Sequence, residues 1–391
     1  MDKIRIGVVG LGKRGRTWLK TLQAIDTYEI TAICDHIEPL VQEATTLLKE
    51  PEKAGCFTDF YEMLEKAPID AVGVVAEPNA QVKLACESMN AGKHVVCEVP
   101  LSYRYQDYWD LVVAVEKSNV KFQMAEQARY RKFIQATRKM AEQGMLGKIL
   151  YAEGEYLAYY GSCYCFRDSK TGKYLTSEEA KSNPNAVSSD RSSEHPIAYI
   201  PHELSPLLSV IKDRVVTVSC MGTKFGSYTD PAVPRRDFEV AIMHTANDTL
   251  IRILNGFTTP TPGHPTSHWY QIIGTEGSVE WKRAKWDQAK MWLKNAQMPD
   301  WAGVNWDDDV RASNIEHGGR DPFPLIDFAE AIKEDRKPEI DIYTAIEACV
   351  PGIVATMSVE KGGRVLSIPD FRPGPNRKKG EYPLDGEPKE V

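Results

Sequence analysis

The stretch Ile4-Arg5-Ile6-Gly7-Val8-Val9-Gly10-Leu11-Gly12-Lys13-Arg14-Gly15 decides the fold. It leads from a strand-like apolar run through a glycine turn into the helix-like Thr17-Trp18-Leu19-Lys20-Thr21-Leu22. The glycines fall as G-x-G-x-x-G, a pattern that carries meaning only between a strand and a helix N-terminus. Gly10 permits the tight turn, Gly12 lets the backbone approach a pyrophosphate, and Gly15 lets helix and strand pack closely. The first N–H groups of the helix and its dipole meet the phosphate charge. A dinucleotide is expected here, with Lys13 and Arg14 counted in its site because their charge tolerates phosphate.

A second strand-like run, Glu29-Ile30-Thr31-Ala32-Ile33-Cys34, ends at Asp35. An acid at that offset accepts hydrogen bonds from the adenosine ribose and repels a 2′-phosphate, so NAD is expected rather than NADP. Strands then alternate with helices as far as about Tyr130: strands over 70–75, 94–98 and 120–125, helices over 40–48, 80–91 and 106–117. That alternation implies right-handed crossovers and a doubly wound parallel sheet, an α/β Rossmann domain over residues 1–130.

After one helix near 133–143 the pattern changes to strand-like runs at 150–160, 215–223, 238–245, 249–257, 270–273 and 279–282. Runs of strands with few helices indicate an α+β domain, residues 131–371, with a large, mostly antiparallel open sheet. Asn247-Asp248 reads as a hairpin turn. Asp321 as N-cap and Pro322 as first helical residue open a late helix over 323–334, and a second helix covers 343–361. The Pro-, Gly- and Lys-rich residues 372–391 read as an extended or disordered arm. The polar segment 161–198 has no period, and flanking Tyr159, Tyr160, Tyr164, Phe166 and His195 suggest a lid.

At 391 residues, two domains are expected. A net charge of −7, with 42% hydrophobic and 26% charged residues, argues against a nucleic-acid or membrane surface, leaving a small molecule as partner. No apolar run long enough to span a bilayer and no signal-peptide pattern is evident, so a cytoplasmic location is expected. The eight cysteines are scattered, with no spacing that suggests a metal site, and read as reduced.

Glu98-Val99-Pro100 follows a strand, at the sheet edge where ligands of doubly wound folds bind. With the upstream Pro78-Asn79, it resembles the Gfo/Idh/MocA oxidoreductase family, whose members share this two-domain plan. Many of its dehydrogenases carry Glu-Lys-Pro, the lysine helping to deprotonate a sugar hydroxyl. Val99 cannot exchange a proton. Glu-Val-Pro is similar to one branch, the NAD-dependent glycoside hydrolases of the α-N-acetylgalactosaminidase type, glycoside hydrolase family 109. Tyr151-Ala152-Glu153-Gly154-Glu155-Tyr156, Tyr199-Ile200-Pro201-His202-Glu203-Leu204-Ser205-Pro206, His317-Gly318-Gly319-x-Asp321 and Ile368-Pro369-Asp370-Phe371 resemble further elements of that branch. Glu203 and Ser205 stand where the branch has glycines.

The resemblance implies Glu153, Tyr199 and His202 as catalytic residues. His202 follows a proline just before a helix-like run, where an imidazole projects into a cleft and titrates near neutrality. Tyr199 lies three residues before it. Glu153 sits on an apolar strand, where burial raises a carboxyl pKa toward acid/base use. Asn79, Glu98, Val99, Pro100 and Gln127 are assigned to the cofactor, and Tyr130, Tyr156 and His317 to the substrate. Glu126, beside Gln127, is expected to border the nicotinamide. His264 and His268, flanking Pro265 before a strand, read equally as loop residues or as sugar contacts; His36, His94 and His244 read as structural.

The expected reaction is glycoside cleavage through transient C3 oxidation by bound NAD, C2 deprotonation and elimination of the aglycone. A sugar or inositol dehydrogenase that stops at the 3-keto product is one alternative, and a non-catalytic NAD-binding sensor is another. The resemblance also implies a homo-oligomer, a dimer or tetramer joined through the open sheet.

Overall fold

The structure, a computed structural model, describes residues 3–161, 163–192, 194–258, 267–306, 319–375 and 377–391. Six strands form the first sheet: β1 (Ile4–Val9), β2 (Tyr28–Cys34), β3 (Gly55–Phe57), β4 (Ala71–Val74), β5 (His94–Cys97) and β6 (Phe122–Met124). All pair in parallel, in the order β3-β2-β1-β4-β5-β6. Covered on both faces, they read as continuous apolar runs, which is why sequence found all but β3. The order reverses between β1 and β4, and ligands of such sheets bind beyond the carboxyl ends at that point.

The division at residue 130 differs from the packing. Leu325, Phe328 and Ala329, on the helix Pro322–Lys333, belong to the same hydrophobic cluster as Ile4, Ile6, Val8 and Leu22. Tyr28 donates its hydroxyl to the Leu325 carbonyl at 2.5 Å, and Gln123 donates to the Pro324 carbonyl at 2.5 Å. A segment remote in sequence therefore completes the core of the first sheet. A second cluster runs without a break from Val72, Val95 and Met124 through Cys349 and Val350 to Met243 and Ile251. The two halves share apolar interior.

The remaining strands are β7 (Ile149–Leu157), β8 (Phe166–Asp168), β9 (Tyr174–Leu175), β10 (Ala186–Ser188), β11 (Val215–Gly222), β12 (Phe238–Thr245), β13 (Leu250–Gly256), β14 (His268–Gly274), β15 (Gly277–Glu280), β16 (Ala289–Leu293), β17 (Ala302–Val304) and β18 (Leu366–Ser367). Nine of them make one sheet in the order β17-β16-β15-β14-β7-β13-β12-β11-β18. Only β7 and β13 pair in parallel; the other neighbours are antiparallel. One face packs the helices Pro201–Ile211 and Ile342–Glu360. The other shows Ile242 and Leu250 to solvent. The expected α/β plus α+β architecture is present, and Asp248 takes the left-handed conformation of a hairpin turn, with φ 65°.

Two segments differ from expectation. The polar stretch after Gly161 is not structureless: β8, β9 and β10 form a small sheet in the order β10-β8-β9, beside a short helix, Ser177–Ser182, capped by Thr176 and Glu179. Strands of two or three residues leave no period to detect. The C-terminal arm is docked along the helix Tyr105–Lys117. Arg377 reaches Glu116 through both terminal nitrogens, at 2.7 and 2.6 Å, and Gly380 N donates to the same carboxylate at 2.6 Å. Tyr105 and Trp109 both donate to the Gly386 carbonyl. A proline- and glycine-rich composition matches the lack of helix and strand among the arm's described residues, but not these long-range partners.

Candidate active site

A cavity of about 740 Å³ opens at the carboxyl ends of β1, β2, β4 and β5 and continues to the inner face of β7. The glycine turn forms its floor. Gly10 has φ 89°, and a Cβ there would lie 2.4 Å from the Val75 carbonyl oxygen. A Cβ on Gly15 would lie 1.8 Å from the Gly10 oxygen, so no other residue fits at the closest approach of helix and strand. A Cβ on Gly12 meets nothing within 4 Å and would project into the cavity. That open space above the first turn of the helix Lys13–Leu22 suits a pyrophosphate.

Asp35 ends β2 at the cavity wall, its carboxylate oxygens accepting from Leu11 N at 2.7 Å and Ile37 N at 2.9 Å. These bonds fix the carboxylate and leave lone pairs for ribose hydroxyls. Asn79 Oδ1 and Gln127 Oε1 are buried on the same wall without a partner among the described residues. Polar atoms buried in this way are stabilised when a ligand supplies the donor. The residues present therefore fit a dinucleotide.

Arg14 has a different task from the expected phosphate contact. It donates to Glu98 at 2.7 Å and to Asp321 at 2.6 Å, tying the glycine turn to β5 and to the remote helix that completes the first sheet. Asp321 accordingly makes no side-chain cap for its helix. Glu98 also accepts from Trp18 Nε1 at 2.6 Å and from Val99 N at 3.0 Å, so it positions rather than reacts. Val99 lines the cavity; Pro100 is buried behind it, its carbonyl accepting from Gln81 at 2.6 Å. The Val99–Pro100 peptide is cis. Lys13 lies at the cavity rim beside Tyr164, with Nζ 3.4 Å from its hydroxyl.

The helix Pro201–Ile211 begins three residues earlier than its apolar run suggested, which sets His202 in the first turn, 5% exposed. Nδ1 lies 2.8 Å from Glu126 Oε1, and a carboxylate only accepts, so Nδ1 carries a proton. The Glu126 carboxylate is held by Ala128 N at 2.7 Å and Arg129 N at 3.1 Å. Nε2 has no protein partner among the described residues, and the ring lines the cavity. This is the arrangement of a base whose tautomer is set from behind.

Aromatic rings surround it. The Tyr199, Tyr156 and His268 rings lie 5.2, 6.0 and 5.8 Å from the imidazole, and the Tyr156 hydroxyl is 2.8 Å from that of Tyr160. Burial pushes the Tyr199 hydroxyl up to about 12, so near neutrality it donates a hydrogen bond and does not remove protons.

Glu153 is not part of this cluster. Side chains alternate along a strand, and β7 turns Gly154 and Tyr156 inward, toward the helix that carries His202. Glu153 therefore points to the opposite face, where it pairs with Arg252 and accepts from Tyr151 at 2.7 Å. The inward carboxylate is Glu203: fully buried, 2.5 Å from His268 Nδ1, its Cβ in the space that only a glycine at 154 leaves open. Burial, with the neighbouring Glu126 charge, raises its pKa well above the usual carboxylate range. His268 is thus a buried strand residue, not a loop residue. Tyr130 is also misplaced by sequence reasoning: its ring stacks on Phe323 at 5.7 Å, away from the cavity lining. His264 and His317 lie outside the described residues.

Several cavity residues had no separate signal in the sequence. Arg191 and Glu194 come from the polar segment and Arg235 from the approach to β12. The Arg191 guanidinium lies over the rings of Tyr199 and Tyr164, at 5.3 and 5.9 Å. The aromatic residues near the start of that segment and His195 near its end marked it as part of a site.

This geometry defines an NAD-dependent oxidoreductase fold with a buried, carboxylate-paired histidine in the cleft, and similarity to known proteins agrees. Residues 4–126 match the Gfo/Idh/MocA oxidoreductase family, with its NAD-binding Rossmann fold, and residues 235–378 match the glycosyl hydrolase 109 C-terminal domain; the cofactor is NAD. It is 24% identical to a glycosyl hydrolase family 109 protein of Shewanella pealeana, over 96% of this chain and 86% of that one. It is 23% identical to an alpha-N-acetylgalactosaminidase of Shewanella oneidensis, again over 96% and 86%. In fold it is similar to the WlbA dehydrogenase of Bordetella pertussis, solved with NADH and UDP-GlcNAcA, with a TM-score of 0.70, 18% identity and coverage of 94% and 99%.

Proposed function

We propose that this protein is a glycosidase that cleaves its substrate with NAD as a recycled catalyst. The observation that carries the reading is His202, which lines the same cavity as the glycine turn and is held from behind by the buried Glu126, while Val99 stands where a proton-transferring lysine would be. Held by the glycine turn and Asp35, NAD would supply the hydride acceptor for the sugar C3 and later the hydride donor, the C3 hydroxyl proton passing to water in the cleft and returning with the hydride. The resulting ketone makes the C2 proton acidic. His202 Nε2 removes that proton, while Glu126 holds Nδ1–H and stabilises the imidazolium. The C1–O bond breaks as the C1–C2 double bond forms. Water then adds at C1, and the imidazolium returns its proton to C2. Tyr199, kept protonated by burial, donates to a sugar oxygen, and Gln127 Oε1 accepts from the cofactor or from a hydroxyl.

The test is incubation of purified protein, without added NAD, with nitrophenyl glycosides and free sugars. Aglycone release with no net NADH is expected. Stoichiometric NADH that requires added NAD would instead indicate a dehydrogenase, and inertness to both a sensor. The solvent-facing side of the nine-stranded sheet, with Ile242 and Leu250 exposed beside the Glu153–Arg252 pair, supports homo-oligomer formation, which light scattering tests.

A further inference from the structure

With Glu153 on the far side of its sheet, the reaction still needs a group to protonate the departing oxygen. We propose that Glu194 is that acid, and that its carboxylate then takes a proton from the incoming water. The inference rests on the glycosidase reading above. Glu194 lies two residues before the turn Pro196–Tyr199 that leads into His202, and it lines the same cavity. Its neighbour His195 is anchored to the buried Glu239 at 2.6 Å, which holds the backbone beside Glu194 in place. Glu194 is 8% exposed, and its Oε1 is buried without a partner among the described residues. One oxygen of this carboxyl thus keeps its hydrogen-bond capacity, beside the Tyr103 hydroxyl.

The groups around it set its protonation. Burial raises its pKa, and the Glu239 charge adds to that; the Arg191 and Arg235 guanidinium groups and the Tyr103 hydroxyl oppose it. The balance lies at about 7, so the carboxyl is present both as acid and as carboxylate near neutrality. Arg235 is occupied by the Gly161 carbonyl at 3.0 Å, and Arg191 rests on tyrosine rings, so neither holds Glu194 in a fixed ion pair. In the first half-reaction the electron pair of the C1–O bond leaves with the aglycone oxygen, which takes the Glu194 proton as His202 takes the C2 proton. In the second, Glu194 takes a proton from water as its oxygen bonds to C1. Glu194 ends protonated, as it began.

The test compares leaving groups on the NAD-loaded protein. A 2,4-dinitrophenolate departs without protonation, whereas a methoxide does not. Glu194→Gln is expected to lose about 10²–10⁴-fold in kcat/KM on methyl glycosides and less than about tenfold on dinitrophenyl glycosides. The wild-type fall in kcat/KM on methyl glycosides above about pH 7 should vanish in the variant. Glu194→Asp, which keeps the carboxyl, should recover part of the loss. Equal losses on both substrates would show a structural counter-ion to Arg191 and overturn the inference, as would full activity on both. A wild-type protein that releases no aglycone from any glycoside overturns the glycosidase reading, and this inference with it.

Discussion

Replacing Glu126 with glutamine tests the catalytic base without touching the residue that meets substrate. One oxygen of the Glu126 carboxylate accepts from both His202 Nδ1, at 2.8 Å, and Ala128 N, at 2.7 Å; the other accepts from Arg129 N at 3.1 Å. An amide has one acceptor oxygen, so one backbone N–H must face an NH₂ group. Leaving that N–H unpaired costs about 1–3 kcal/mol of stability. When the amide nitrogen faces the imidazole, it donates to Nδ1 and moves the ring proton to Nε2. The cavity-facing nitrogen then becomes a donor and cannot accept the C2 proton. Loss of a general base lowers kcat by about 10²–10⁴-fold. At about 1.36 kcal/mol per decade, this is about 3–5 kcal/mol of transition-state stabilisation. The assay is aglycone release at saturating substrate, with NAD affinity followed by fluorescence quenching. We expect kcat to fall by that factor while NAD affinity holds within about threefold. His202→Ala should fall equally far, and the double variant little further, because the two residues act as one unit. A Glu126→Gln protein that turns over within about threefold of wild type would refute the pair as the base.

The other predictions concern the cofactor turn, the misplaced carboxylate and the arm. Gly12→Ala should fold as the wild type does, since its Cβ meets nothing within 4 Å, yet lose NAD affinity at least about tenfold in a fluorescence titration. Gly15→Ala should destabilise the apoprotein by about 1–3 kcal/mol or more in urea unfolding, because its Cβ lies 1.8 Å from the Gly10 oxygen. Glu153→Gln should keep turnover within about threefold; a loss of orders of magnitude would return Glu153 to the site. Arg377→Ala leaves the Glu116 carboxylate, with a side chain 2% exposed, without its cation, and should cost about 3 kcal/mol in unfolding measurements. A cost below about 1 kcal/mol would mean that the arm is not held in this way.

The first sheet was legible because a parallel strand buried on both faces carries its own apolar run, and a glycine turn carries its own spacing. β3 escaped notice because Gly55-Cys56-Phe57 is too short to show either signal. The residues at the cavity were harder to assign. His202 and Tyr199 were named correctly as neighbours, since a separation of three residues survives any fold. Glu153 was assigned to the wrong face, because a period of two gives alternation but not which parity faces inward. Glu203, marked only as a departure from a glycine, proved to be the inward carboxylate.

What the sequence by itself determined is whatever depends on neighbours in the chain: the doubly wound sheet, the dinucleotide turn with Asp35 at its rim, and the antiparallel second half. What only the tertiary structure decided depends on partners far apart. The helix Pro322–Lys333 completes the first core, Arg14 is spent on Glu98 and Asp321, and Glu126 stands behind His202. Local chemistry fixes which elements form, because backbone hydrogen bonds and side-chain period act over a few residues. Which carboxylate meets which cation or imidazole is fixed only when the elements pack, since burial then requires each charge to find a partner.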